Sequence, residues 1–170
     1  FNIAQKSDVN VIVTRIDYKF MPPDAQFLRK LLDAQRTKKT ENFVFILNQI
    51  GRINSSDEDD AQNLTSSIIE KETKIFRSKL EAFGLHNPLM FSIDAACARW
   101  GRTLKVEQSK AAISNFTHYA LVDKMNKIPN IEKNLLKSGV PDFESSLMEL
   151  LQKYRFNSFL VKKLEQLKKV

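Results

Sequence analysis

Two short segments carry the polar residues best placed to meet a ligand: Asn48-Gln49-Ile50-Gly51 and Ser92-Ile93-Asp94. The first follows FVFIL at 43–47 and the second follows LMF at 89–91, both apolar runs of strand length. In an open α/β sheet, ligands bind beyond the carboxyl ends of the strands, which is where both segments fall. The chemistry expected there is binding; no residue is assigned a catalytic or metal-ligating role. Each position also has a plainer use. Asn48 suits a turn after a buried strand, and Ser92 and Asp94 suit the cap of a helix beginning at Ala95.

The other versatile side chains lead away from catalysis. His86 and His118 lie far apart, with no carboxylate or cysteine pattern around them. Cys97 sits in an alanine-rich stretch beside Arg99 with no nearby histidine, and is expected to pack as a small core residue. The acidic run at 57–60 lacks the spacing and turn glycine of a calcium loop. It is expected to feed carboxylates toward the N-terminus of the following helix. Trp100 is expected to anchor a helical insertion to the sheet, with an exposed partner contact as the alternative.

The elements that must position these segments alternate. DVNVIVTRI at 8–16 is a β-branched run. A loop at 18–23 holds Pro22 and Pro23, and a helical stripe of Phe27, Leu28, Leu31 and Leu32 follows. Arg36, Lys38 and Lys39 close it with a sign that suits a helix C-terminus. FVFIL has no polar face, which fits the middle of a parallel sheet. A helix over 61–83 carries Leu64, Ile68, Ile69, Phe76, Leu80 and Phe83, with Gly84 as its C′ residue. A third strand covers 89–93. This order predicts a layered α/β sheet with parallel strands. The remainder reads as helical: a segment from 95 interrupted at Gly101, one capped by Ser109, a short one at 128–136 ended by Ser138-Gly139, and a long one from 142 with a bend allowed at 155–157.

Composition sets bounds. The chain has 170 residues, 42% of them apolar, and glycine and proline are scarce, which excludes low-complexity and collagen-like classes. Its length suits one domain with a real core. The single cysteine excludes an internal disulfide framework and a CxxC zinc site, and is compatible with a reducing compartment. No apolar run approaches the ~20 residues that span a bilayer, and the N-terminus lacks the features of a secretory signal. A cytoplasmic location is expected, with peripheral membrane association as a further option. The first residue is Phe1 rather than Met, so the chain is expected to be a fragment, a processed product or part of something larger.

A strand ending in Asn, a long helix and a second strand ending in Ser resemble the C-terminal half of a GTPase domain, where [NT]-K-x-D and S-A-x line the guanine pocket. Ser138-Gly139-Val140-Pro141-Asp142-Phe143-Glu144, with Leu147 and Leu150 after it, resembles the S-G-x-x-x-[FL]-E turn into the last helix of bacterial GTPase domains. With a helical insertion at about 95–137, the chain resembles the dynamin-like large GTPases, bacterial ones in particular, over residues 7–153. The resemblance implies part of the parallel sheet of a P-loop GTPase-like domain over 1–153, flanked by helices. A neck or stalk helix would then start at 154 and run to 170.

The resemblance also implies that Asn48, Gln49, Gly51, Ser92, Ile93 and Asp94 line a nucleobase pocket. Asn48 keeps the family's place. Gln49 stands where the family has a Lys whose stem lies on the purine, and Gly51 where it has the Asp that accepts from guanine N1 and N2. Ser92 matches, Ile93 replaces an Ala, and Asp94 takes the third position. A displaced contact from Asp94 or Asp57 is the other source of an acceptor. No G-x-x-x-x-G-K-[ST] occurs, and no D-x-x-G precedes the first strand. Those segments hold the phosphates and the Mg²⁺, and would lie ahead of Phe1. GTP and Mg²⁺ are therefore expected as cofactors of a full-length parent, and this chain alone is not expected to hydrolyse nucleotide. The parent would couple hydrolysis to self-assembly or membrane remodelling. Gln49 and Gly51 lower the expected guanine preference and keep a pseudo-GTPase in view.

The implied partners are the missing N-terminal half of the GTPase domain, further copies of the protein, and an anionic membrane surface. Residues 151–170 hold six basic side chains and one acidic, which suits a bundle helix with a solvated face or a helix lying on anionic lipid. The net charge of +7 permits nucleic-acid binding, but no helix-turn-helix, zinc or aromatic-ribbon signature supports it. The competing reading is a non-catalytic α/β interaction module whose basic helical arm binds a protein partner or an anionic surface.

Overall fold

A strand that is apolar throughout has no face to give to water, so it must be covered on both sides. In the computed structural model, which describes residues 9–16, 21–34, 43–53, 61–124 and 126–167, FVFIL takes that position. It lies in strand β2 (Phe43–Asn48), between β1 (Asn10–Arg15) and β3 (Leu89–Ser92) in a three-stranded sheet of order β1-β2-β3. Both pairings are parallel, as the alternation of strands and helices predicted. Helix α1 (Pro22–Ala34) lies between β1 and β2 in the chain. A 3-10 turn (Ile50–Ile53) and α2 (Ala61–Glu81) lie between β2 and β3. Four helices follow: α3 (Ala95–Val106), α4 (Lys110–Tyr119), α5 (Ile131–Lys137) and α6 (Val140–Leu167).

The period-two alternation of β2 divides the core. Phe43, Phe45 and Leu47 pack with Leu28 and Leu31 of α1 and with Phe76 and Leu80 of α2. Ile46 packs the other way, with Ala98 of α3, Leu135 of α5 and Val140 of α6. Helices thus cover both faces of the sheet. A further cluster of Cys97, Leu104, Ala112 and Phe116 holds α3 against α4. Trp100 packs there, within the helical part, with the Arg99 guanidinium 5.2 Å from its ring centre. Among the described residues no helix is long and apolar enough to cross a membrane.

Several helix ends differ from the sequence expectation, for identifiable reasons. Helix α1 starts at Pro22, so both prolines occupy its first positions, where no N–H is required. Asp24 accepts from the Met21 N–H at 2.8 Å and fixes that start. Gly101 does not interrupt α3. A Cβ there would lie 3.1 Å from Leu135 and 3.3 Å from Phe116, so the glycine permits close helix packing. Helix α5 begins at Ile131, where the Asn130 side chain accepts from the Lys133 N–H at 2.9 Å. Helix α6 begins at Val140, two residues ahead of the expected 142, and runs unbroken through 155–157 and past the expected neck boundary at 153–154.

Other expectations held. Gly84, at φ 83°, closes α2: its N–H meets the Glu81 carbonyl at 2.8 Å and Leu85 N–H meets Leu80 at 3.2 Å, the paired bonds of a Schellman end. Ser109 caps α4 by accepting from Ala112 at 3.2 Å. Arg36, Lys38, Lys39, the 54–60 loop with Asp57, and the side chain of Leu64 lie outside the described residues.

Candidate functional site

The β2–β3 register pairs Leu47 with Ser92 and so sets the two strand-end segments side by side. The ladder continues past the strands: Ile93 N–H donates to the Leu47 carbonyl at 2.8 Å, and Ile50 N–H to the Ile93 carbonyl at 3.3 Å. On the other side, Ile16 N–H donates to the Asn48 carbonyl at 2.9 Å. Asn48-Gln49-Ile50-Gly51 and Ser92-Ile93-Asp94 therefore form one corner at the carboxyl edge of the sheet.

Within that corner the polar groups hold one another. Asn48 Oδ1 accepts from its neighbour Gln49 N–H at 2.8 Å and from Ala95 N–H at 3.1 Å, so it meets an otherwise unpaired donor at the start of α3. Gln49 adopts φ 66°, and its Oε1 is buried with no hydrogen-bond partner. Asp94 is only 5% exposed and is the N-cap of α3. Its Oδ1 accepts from Cys97 N–H at 2.9 Å, and its Oδ2 from Gly51 N–H at 3.0 Å across the corner. Its own N–H donates to the Ser138 carbonyl at 2.8 Å. The capping role expected of Asp94 is present, joined to a long-range bond with Gly51.

Ser92 turns elsewhere. Its hydroxyl lies 3.0 Å from Thr73 Oγ1 on α2, and Thr73 gives its own proton to the Ile69 carbonyl at 2.7 Å, so Ser92 is the donor in that pair. Ile93 is buried against Ala98, Leu135 and Val140. The Ser138-Gly139 turn presses on the same strand end: Gly139 sits at φ 66°, and a Cβ there would meet the Ser92 carbonyl oxygen at 2.5 Å. Phe143 of α6 packs edge-on against Phe91 at 5.4 Å, and Arg102 of α3 pairs with both oxygens of Glu144, at 2.7 and 2.5 Å. The start of α6 is thereby tied to the strand-end corner.

The remaining candidates keep structural roles. Cys97 is fully buried, its thiol directed at the Asn134 carbonyl 3.6 Å away. Burial, with the Asp94 charge adding to it, pushes that thiol up to about 12, so it holds its proton and is no nucleophile. His86 is exposed, and His118 stacks edge-on with Tyr119 at 4.7 Å. Among the described residues no three His, Cys, Asp or Glu side chains gather as a metal site.

Asn134, which sequence reading left without a role, is the best-connected polar group near the corner. It is wholly buried; its Oδ1 accepts from Leu121 and Val122 N–H at 2.6 and 3.0 Å, and its Nδ2 donates to the Val122 and Asn130 carbonyls at 3.1 and 2.8 Å. It thereby fixes Leu121, which forms one wall beside Gly51. A single Asn between Lys133 and Leu135 in a short helix was its only sequence signal. Compared with protein-family models, with curated proteins and with solved structures, the chain matches none.

Proposed function

We propose that this chain is the C-terminal part of a dynamin-like GTPase domain, and that its strand-end corner faces the base of a bound nucleotide. The observation that carries this reading is the parallel Leu47–Ser92 register, which brings Asn48 and Ser92-Ile93-Asp94 together beyond the carboxyl ends of adjacent strands. The free side of β1 supports it as well. Val11 and Val13 are 42% and 59% exposed on a strand with no neighbour beyond it among the described residues. A segment carrying the phosphate loop would add there and cover that face.

The residues present divide the work unequally. Asn48 braces the loop and the start of α3, and Asp94 braces Gly51 and Cys97. No hydrolytic step is assigned to this chain. GTP and Mg²⁺ would be held by the N-terminal half of the parent domain. Movement at the corner would reach α6 through the Asp94–Ser138 bond and the Gly139 contact, and α6 would carry it into a helical neck within an assembly or on an anionic membrane.

The test begins with the coding sequence ahead of Phe1, where a G-x-x-x-x-G-K-[ST] is expected. Fluorescent GTP, GDP and ATP analogues are then titrated into that longer protein and its Asn48→Ala variant, with thermal melts as the folding control. Saturable binding, weakened about tenfold by the substitution, is expected. Absent binding, or binding indifferent to Asn48, contradicts the proposal.

A second reading, a non-catalytic interaction module, draws on α6. Met148 and Phe156 are 56% and 62% exposed there, with Lys153 and Arg155 exposed between them. A native start codon at or near Phe1 would favour it.

A further inference from the structure

Guanine is normally selected by a carboxylate that accepts from its N1 and N2 donors, and a site that leaves those donors unpaired does not favour guanine. The carboxylate in this corner is in a different place and already engaged. A Cβ on Gly51 would lie 2.9 Å from Asp94 Oδ2 and 2.9 Å from Leu121 Cδ2, so any side chain at 51 would press on the Asp94 carboxylate and on Leu121. Asp94 cannot swing out to serve a ligand without cost. It is 5% exposed, one oxygen caps α3 through Cys97 N–H, and the other holds Gly51 N–H.

We infer that Asp94 and Leu121 crowd out a side chain at residue 51, and that the corner accepts a purine without selecting guanine. This rests on the nucleotide-site reading above and narrows its substrate class. The remaining polar group, the Gln49 carboxamide, fits the same conclusion. It carries both an acceptor and a donor, so by turning over it can meet the edge of guanine or of adenine. Its Oε1 is the one buried acceptor in the corner without a partner among the described residues.

The experiment is an amide-resolved NMR titration of the same longer protein used for the nucleotide titrations, with guanosine and, separately, adenosine. Both nucleosides are expected to shift the Asn48, Gln49 and Asp94 amides, with affinities within about tenfold of each other. Guanosine favoured by more than that overturns the inference and leaves the nucleotide site standing. If neither nucleoside moves those amides, the nucleotide-site reading itself fails, and the inference with it.

The double variant Gly51→Asp with Asp94→Ser gives a second arm. It returns the carboxylate to position 51 while leaving a hydroxyl to cap α3. It should gain guanosine preference of about tenfold or more. A double variant with a folded spectrum and no such gain counts against the inference.

Discussion

Strands β1 and β2 are neighbours of six residues each, yet their surroundings differ completely. Phe43 to Leu47 are all under 5% exposed, while β1 alternates between half-buried and exposed. The pairing explains which face is bare. Val11 and Val13 stand opposite Val44 and Ile46, on the side where α3, α5 and α6 cover β2 but leave β1 open. Ile12, opposite Phe45, packs toward α1 and α2. Parallel sheets are ordinarily covered on both faces. Among the described residues β1 thus keeps one apolar face uncovered, and under the proposed function a further layer would lie there.

The largest effect that separates the two strands comes from truncating their centres. Phe45→Ala should cost about 3–5 kcal/mol in urea unfolding, because it opens a cavity between α1 and α2. A cost under about 1 kcal/mol would mean that β2 is not the closed centre described here.

Next come two glycines with the same sign of φ and different neighbours. Gly139→Ala should cost roughly 2 kcal/mol or more, since its Cβ would strike the Ser92 carbonyl. Gly84→Ala faces open space at φ 83° and should cost about 1 kcal/mol, from backbone conformation alone. Equal costs would remove the close contact between the α6 turn and the strand-end corner.

Smaller again is Arg102→Ala, about 0.5 kcal/mol, because both partners are half exposed to solvent. The hydrogen bond from Arg102 holds the Glu144 carboxyl below its ordinary range. A lowered folded-state value stabilises the fold above the unfolded-state pKa, and that contribution fades as pH falls through the folded value. The difference between wild-type and variant melts should therefore shrink on acidification. A gap that widens at low pH would contradict the pairing. Smallest is Val13→Ala on the bare face of β1, expected within about 0.5 kcal/mol. A loss comparable to that of Phe45→Ala would mean that this face is covered.

Strand order and pairing direction were legible because two signals coincided: FVFIL has no polar face, and α1 and α2 carry clear apolar stripes. Helix ends were read less well where tertiary contacts outweigh local propensity. Gly101 looks like a breaker until Leu135 and Phe116 are seen beside it, and Pro22 looks like loop until Asp24 is seen to cap it. At the corner, the sequence identifies which residues lie at the strand ends. It does not reveal that Asp94 bridges to Gly51, because that bond joins residues 43 positions apart. Asn134 was invisible for the same reason: its value comes from the backbone it meets at 121–122 and 130.

The central claim is that the corner where residues 48–51 meet Asp94 faces a bound base. Photo-crosslinking with 8-azidoguanosine and 8-azidoadenosine, followed by peptide mapping, tests it directly. Label is predicted on peptides spanning 43–53 or 89–98, reduced by an excess of unlabelled nucleoside. Label confined to α6, or spread over the chain and indifferent to competitor, would contradict the account.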